Sequence, residues 1–496
     1  MAALTIVVSC KKDDDSGETE IPDGDGTVEL QSEVNEFIWK GMNYWYFWQA
    51  DQPLLADNKF ADTDEFYTFL NNYSSSESLF DDLVYQPNVV DDFSWYIPDL
   101  DEQLDSFRGI TTSFGISFPS SPIQVGSDAV VIYIAYVVPN SPADVAGLKR
   151  GDIIYKVDGV ESNLSNYQTV LNSIFYKENI SIEITNIVDG TLEPIEGEFT
   201  MTSETITSNP VHYYDIIERG SQKIGYLVFN AFRAPFNGEL NDVFGEFKDA
   251  GIDELILDLR YNGGGSVLTS AMLASMINGS PSAYEDTFAR LQYNSKRDAA
   301  ERVIYPFFGD VYLYDKTTSE YLGEESINRL TTVSHLYVLA SRRTASASEM
   351  IINGLRPYMP VTIIGEQTVG KNEGSITVVD APGGDSPYTD IDKRNPNHTV
   401  AMQPIVFHVY NSLDQSDYSD GFLPDIEVRE YEYTADIKPF GDPEEALLSV
   451  ALEQITGLSS KKVTNTANTS FQKTSESLQL PKFSNEMYIL PGEHLK

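Results

Sequence analysis

The sequence predicts a multidomain α/β protein, and three observations carry that prediction. At 496 residues the chain is too long for one ordinary core, while 41% hydrophobic and 12% aromatic content is normal for globular material. Residues 206–458 alternate short apolar runs, "IGYLVF", "ELILDL", "HLYVLA" and "VTIIGE", with polar or helical stretches, which is the α/β pattern. Ahead of them, residues 109–205 break into short β-rich runs separated by turns, and residues 27–108 mix aromatic and acidic side chains at helix-like spacing.

Residues 1–26 have no core-forming pattern. The single cysteine, Cys10, follows the apolar "LTIVVS" and precedes the acidic "KKDDDSGETEIPDGDG", which cannot fold alone. Val7, Val8, Ser9 and Cys10 resemble the lipobox of a bacterial lipoprotein, and "KKDDD" resembles the acidic signal that sends some of these to the cell surface. The resemblance implies a lipidated Cys10 as the membrane anchor and an outer-membrane lipoprotein of the cell envelope, surface-exposed or periplasmic. One cysteine excludes an internal disulfide framework and CxxC metal sites. A net charge of −43 repels phosphate backbones, so nucleic acid is excluded as a partner. No apolar run approaches the ~20 residues of a membrane-spanning helix.

In residues 27–108, "VNEFIWKGMNYWYFWQADQP" places Phe37, Met42, Tyr44 and Trp45 on one broad apolar face that is expected to run up to Pro53. A small helical domain follows. Its aromatic stripe packs against a neighbouring domain or lines a ligand groove, the first being the commoner use.

Within residues 109–205, "VVPNSPADVAGLKRGDIIYKVDG" reads as strand, short helix over 142–146, two glycine turns, strand, and a "DG" hairpin turn. This resembles a PDZ domain. The resemblance assigns "FGISF", that is Phe114, Gly115, Ile116, Ser117 and Phe118, to the loop whose backbone N–H groups hold a peptide's C-terminal carboxylate while the peptide adds as a strand.

The chemistry concentrates in residues 206–458. "RTASASEM" follows the apolar "HLYVLAS", so a buried strand runs through a tight loop into a helix that begins at Ser346. There the helix N-terminus favours negative charge, which suits a nucleophile. Ser346-x-x-Glu349 equally fits a capping box, in which the serine only caps. None of the five histidines lies near it in sequence, whereas "VTIIGEQTVGK" returns a strand and presents Lys371 on a glycine-flanked turn. Lysine can replace histidine as the base if burial brings its pKa from ~10.4 to near 7, at roughly 4–5 kcal/mol. "ELILDLRYNGGGSV" runs a strand into Gly263, Gly264 and Gly265, whose N–H groups can form an anion nest for an oxyanion.

Together these strings resemble the S41 family of C-terminal processing peptidases. "DLRYNGGG" is similar to the family's DLRxNxGG, "TASASE" to its nucleophile segment, "GEQTVGK" to its lysine segment and "GFLPD" to its late GxxPD element. The resemblance implies a ClpP/crotonase-like Ser-Lys core with Ser346 as nucleophile, Lys371 as base, and Gly264 and Ala347 N–H groups as the oxyanion hole. It implies acyl transfer without metal or organic cofactor, on polypeptides selected by a free C-terminus. Where some relatives have a glutamine to orient the lysine, this chain has Ser375, and Glu373 would raise the lysine's pKa. The alternative reading is a non-catalytic S41-like or PDZ binding protein or scaffold at the cell surface. The polar tail, residues 459–496, is expected to be extended or disordered.

Overall fold

Period-two burial in the core strands decides the layering. Leu227, Phe229, Leu255, Leu257, Leu336 and Val338 join one apolar cluster, while Tyr226, Val228, Ile256, Tyr337 and Leu339 join another on the opposite face. In the computed structural model, which describes residues 21–280, 286–383, 386–458, 471–475 and 486–489, these strands form a six-stranded sheet. Its order is Val211–Arg219, Gln222–Phe229, Glu254–Asp258, Leu336–Ala340, Val361–Gly365, Ile426–Glu427, and all pairs after the first are parallel. The Val267–Ile277 and Ala347–Leu355 helices cover one face, with every residue buried, and Ala446–Thr456 covers the other.

A second six-stranded sheet carries the lysine segment. Its order is Gly265–Ser266, Met487–Ile489, Glu373–Ile376, Ile405–Tyr410, Thr287–Tyr293, Val303–Pro306. The Met487–Ile489 strand runs parallel to both of its neighbours.

Helices Glu33–Trp45, Thr63–Leu70, Ser76–Leu83 and Leu100–Arg108 build the N-terminal unit. Phe37, Met42, Tyr44 and Trp45 are buried in the same cluster as the Val267–Ile277 and Ala347–Leu355 helices, and Trp45 Nε1 donates to Pro387 O at 2.8 Å. The aromatic stripe is therefore packing, not a ligand groove. Its helix stops at Trp45, well short of Pro53, because Tyr46 turns to extended ψ and its hydroxyl donates to buried Asp91 at 2.7 Å.

Strands Ile110–Ser113 and Glu204–Thr207 pair antiparallel and form the neck of the β-rich module, which has its own core around Phe114, Phe118, Ile132 and Leu171. An ion cluster fixes this module to the core. Arg260 is wholly buried, 2.6 Å from Asp258, 2.7 Å from Glu445 and 2.9 Å from Glu430, and Arg150 reaches Glu430 at 2.6 Å. Burial raises the Glu430 carboxyl, but Arg260 and Arg150 outweigh it and hold the group down at about 2.

The tail is extended where it is described, and it is tied down. Gln472–Lys473 pairs with Ile123–Val125, Phe471 is buried beside Ile123 and Val125, and Lys473 meets Glu366 at 2.8 Å. Cys10 and the segment expected to be a lipobox lie outside the described residues, as does most of residues 459–496.

Candidate active site

The loop that carries Ser346 is pinned to the "DLRYN" motif before the helix begins. Thr344 Oγ1 donates to Leu259 O at 2.8 Å, Ala345 N–H to Asn262 O at 3.2 Å, and Ser348 Oγ to Asn262 O at 3.1 Å. The two serines are thereby told apart. Ser348 is engaged, whereas the buried Ser346 Oγ has no hydrogen-bond partner. Ser346 also stands at φ 65°, ψ −119°, a strained conformation for a residue with a side chain. An ordinary N-cap is extended, which Ser346 is not, and the Ser346 N–H donates to Glu349 Oε2 at 2.9 Å. A sharp strand-to-helix turn that strains a serine and leaves its hydroxyl uncommitted is the arrangement of an activated nucleophile.

Glu349 is the residue that the sequence reading undervalued. Its Oε2 also accepts from Lys371 N–H at 2.9 Å, and its Oε1 accepts from Gly370 N–H at 2.7 Å and Thr368 Oγ1 at 2.5 Å. One carboxylate thus ties the backbone of Ser346 to that of Lys371 across the chain. Its S-x-x-E spacing gave only a cap signal; a carboxylate inside the apolar "EMIINGL" run was the stronger sign. In Glu349→Gln, one oxygen and an NH2 face four donors, so at least one donor loses its partner, at about 1–3 kcal/mol each. The expected result is a lower urea midpoint and at least a tenfold lower kcat, with KM changing less. An unchanged kcat would show that the clamp does not set the geometry.

Lys371 is buried with Nζ 4.6 Å above the Phe93 ring. Burial pushes its ammonium down to about 8, against the pull of Glu486, Glu373, Asp91 and Glu349. Glu373 acts in the direction expected of it, but its nearest partner is His408, 3.2 Å away. Ser375 serves a different neighbour from the one anticipated. Its hydroxyl donates to Met487 O at 3.1 Å and accepts from Gln403 Nε2 at 3.1 Å, so its proton is committed away from the lysine.

The glycine nest also divides its work differently. Gly264 N–H donates to Asn262 Oδ1 at 2.8 Å, and Gly265 N–H holds Glu486 O at 2.5 Å. What Gly264 supplies is proximity. At φ 114°, a side-chain carbon there would stand 2.2 Å from Glu486 O, 2.7 Å from Ser346 Cβ and 3.0 Å from Ala347 N. Gly264 and Ala347 therefore do flank the serine, with Gly265 as the nest donor that grips a carbonyl. Gly115 has φ 77°, Ile116–Ser117 pairs with Tyr136–Val137, and Phe114 and Phe118 are buried in the module core. Arg343, three residues before Ser346, donates to Ser117 Oγ at 3.3 Å and to Phe118 O. Among the described residues no cluster of His, Cys, Asp and Glu could hold a metal ion.

The fold and the strained, buried serine are those of a serine-type peptidase. Residues 223–428 match the sequence model of peptidase family S41, residues 33–95 that of the peptidase S41 N-terminal domain, and residues 133–173 that of a PDZ domain. The chain belongs to peptidase family S41. It is 24% identical over 329 residues to a carboxyl-terminal-processing protease from Picosynechococcus, covering 64% of this chain and 72% of that one. A carboxyl-terminal-processing protease from Synechocystis is 26% identical over 53% of this chain and 54% of its own. A solved structure, a putative S41 protease from Bacteroides fragilis, matches at TM-score 0.65 and 28% identity, over 87% of this chain and 99% of that one.

Proposed function

We propose that this S41 peptidase hydrolyses polypeptides through Ser346 and Lys371 and selects them by their C-terminal tails. The observation that carries the reading is the uncommitted, buried hydroxyl of Ser346, whose backbone shares the Glu349 carboxylate with that of a lysine depressed to about 8. Lys371 in its neutral form takes the Ser346 proton as Oγ attacks a peptide carbonyl. The Ala347 N–H at the helix N-terminus, flanked by Gly264, holds the oxyanion, the protonated lysine returns the proton to the leaving amine, and water then hydrolyses the acyl-enzyme. The test is incubation of the purified protein with an unfolded polypeptide and with a fluorophosphonate. Labelling and cleavage are expected, and absence of both sinks the proposal in favour of a binding or scaffold role.

Selection by the tail rests on the PDZ resemblance of residues 114–118 and on the contact of Arg343 with that loop. A polypeptide with a free apolar C-terminus is expected to be cleaved faster than the same chain amidated there, because amidation removes the charge that backbone donors recognise. Equal rates would make the module a spacer. The run Val7, Val8, Ser9, Cys10 supports a further proposal, that the enzyme is held at the cell envelope through a lipid on Cys10.

A further inference from the structure

The Gly265–Ser266 and Glu373–Ile376 strands do not touch each other; the chain's own Met487–Ile489 strand lies between them. Without it, both would present unpaired backbone edges directly beside the nucleophile, an arrangement that draws in an extended peptide. The segment fills this gap as a substrate would. Glu486 O sits on Gly265 N–H and passes Ser346 at the point where Gly264 has no side chain. Met487 is fully buried, with its carbonyl accepting from Ser375, and Tyr488 stacks on Phe107 with ring centroids 3.9 Å apart. The Glu486 carboxyl is buried with Oε1 lacking a hydrogen-bond partner, and its charge acts on Lys371, so the segment reaches into the site.

We infer that the gap between the Gly265–Ser266 and Glu373–Ile376 strands is the polypeptide-binding slot, and that residues 486–489 occupy it in cis as a tethered competitor which substrate must displace. The inference rests on the reading of Ser346 as nucleophile. The ligand class is an extended strand running parallel to both walls, with large apolar side chains at the two positions held here by Met487 and Tyr488. Ser375 and Gly265 bind its main chain, and Phe107 offers an aromatic face to the second of the two side chains.

The test locks the occupant in place. Ile376 and Ile489 are register partners, and Cα atoms on paired strands lie within disulfide reach, so Ile376→Cys with Ile489→Cys, on a Cys10→Ser background, can be closed by oxidation and opened by reductant. The probe is a fluorescein-labelled peptide of residues 486–496, "EMYILPGEHLK", followed by anisotropy on the full chain carrying Ser346→Ala. Reduced protein is expected to bind the peptide and oxidised protein to bind at least tenfold more weakly. Equal binding in the two states, including none in either, overturns the inference. Cleavage of an unfolded polypeptide by the same cysteine pair with Ser346 intact is scored separately. Cleavage at one rate in both redox states overturns the slot and leaves the protease standing, whereas redox-gated binding without cleavage upholds the slot and removes the protease.

Discussion

Ser346→Ala is expected to abolish cleavage of unfolded polypeptides while leaving the fold intact. Removal of the nucleophile from a serine hydrolase lowers kcat on the order of 10⁶-fold. The structural cost is small for a specific reason. The Ser346 hydroxyl has no hydrogen-bond partner, so its removal leaves no buried group unsatisfied, and the Glu349 contact is to the backbone N–H, which alanine keeps. Even a full N-cap is worth only ~1 kcal/mol. Ser348→Ala is the matched control: it loses the bond to Asn262 O, at about 1 kcal/mol, yet should retain activity. Peptide cleavage and thermal unfolding of both variants decide the matter. Wild-type rates in Ser346→Ala would end the assignment.

The parts of this site that were legible in the sequence are those that local strings carry. The serine follows a buried strand and opens a helix, the lysine stands on a glycine-flanked turn, and the glycine nest ends a strand. Each is a short-range pattern, and the parallel sheet brings their ends together. Glu349 was visible as a letter but not as a clamp, because capping and tying two loops together use the same spacing. Which glycine N–H faces outward depends on Asn262, whose side chain takes the Gly264 proton; nothing in the order of three glycines encodes that choice. The late strand was the least legible element. Three residues in a polar tail have no periodicity of their own, and their pairing with Gly265 and Ser375 is set by partners more than a hundred residues away.

Lys371→Met should abolish activity and at the same time stabilise the protein, a combination that a structural lysine cannot give. A lysine that is to accept the Ser346 proton must be neutral, and burial brings Lys371 to about 8 from the ~10.4 of a free lysine. That depression is a folding penalty. Below pH 8 the lysine is charged in both states and the penalty is fully present; it fades as pH rises toward the unfolded value, where the group is neutral in both. Wild-type stability should therefore increase between pH 8 and 10.4. Methionine, apolar and of similar length, can lie over Phe93 without charge, so the variant should gain up to about 3 kcal/mol at pH 6.5 and little at pH 10. In the wild type, kcat/KM should rise with pH along a limb near 8. Glu373→Gln should move that limb to lower pH, because the Glu373 carboxylate favours the ammonium form. Urea denaturation at the two pH values and a pH–rate profile measure all of this. A Lys371→Met protein that still cleaves, or that is less stable at pH 6.5, would show that Lys371 is held charged for structure and that the base lies elsewhere.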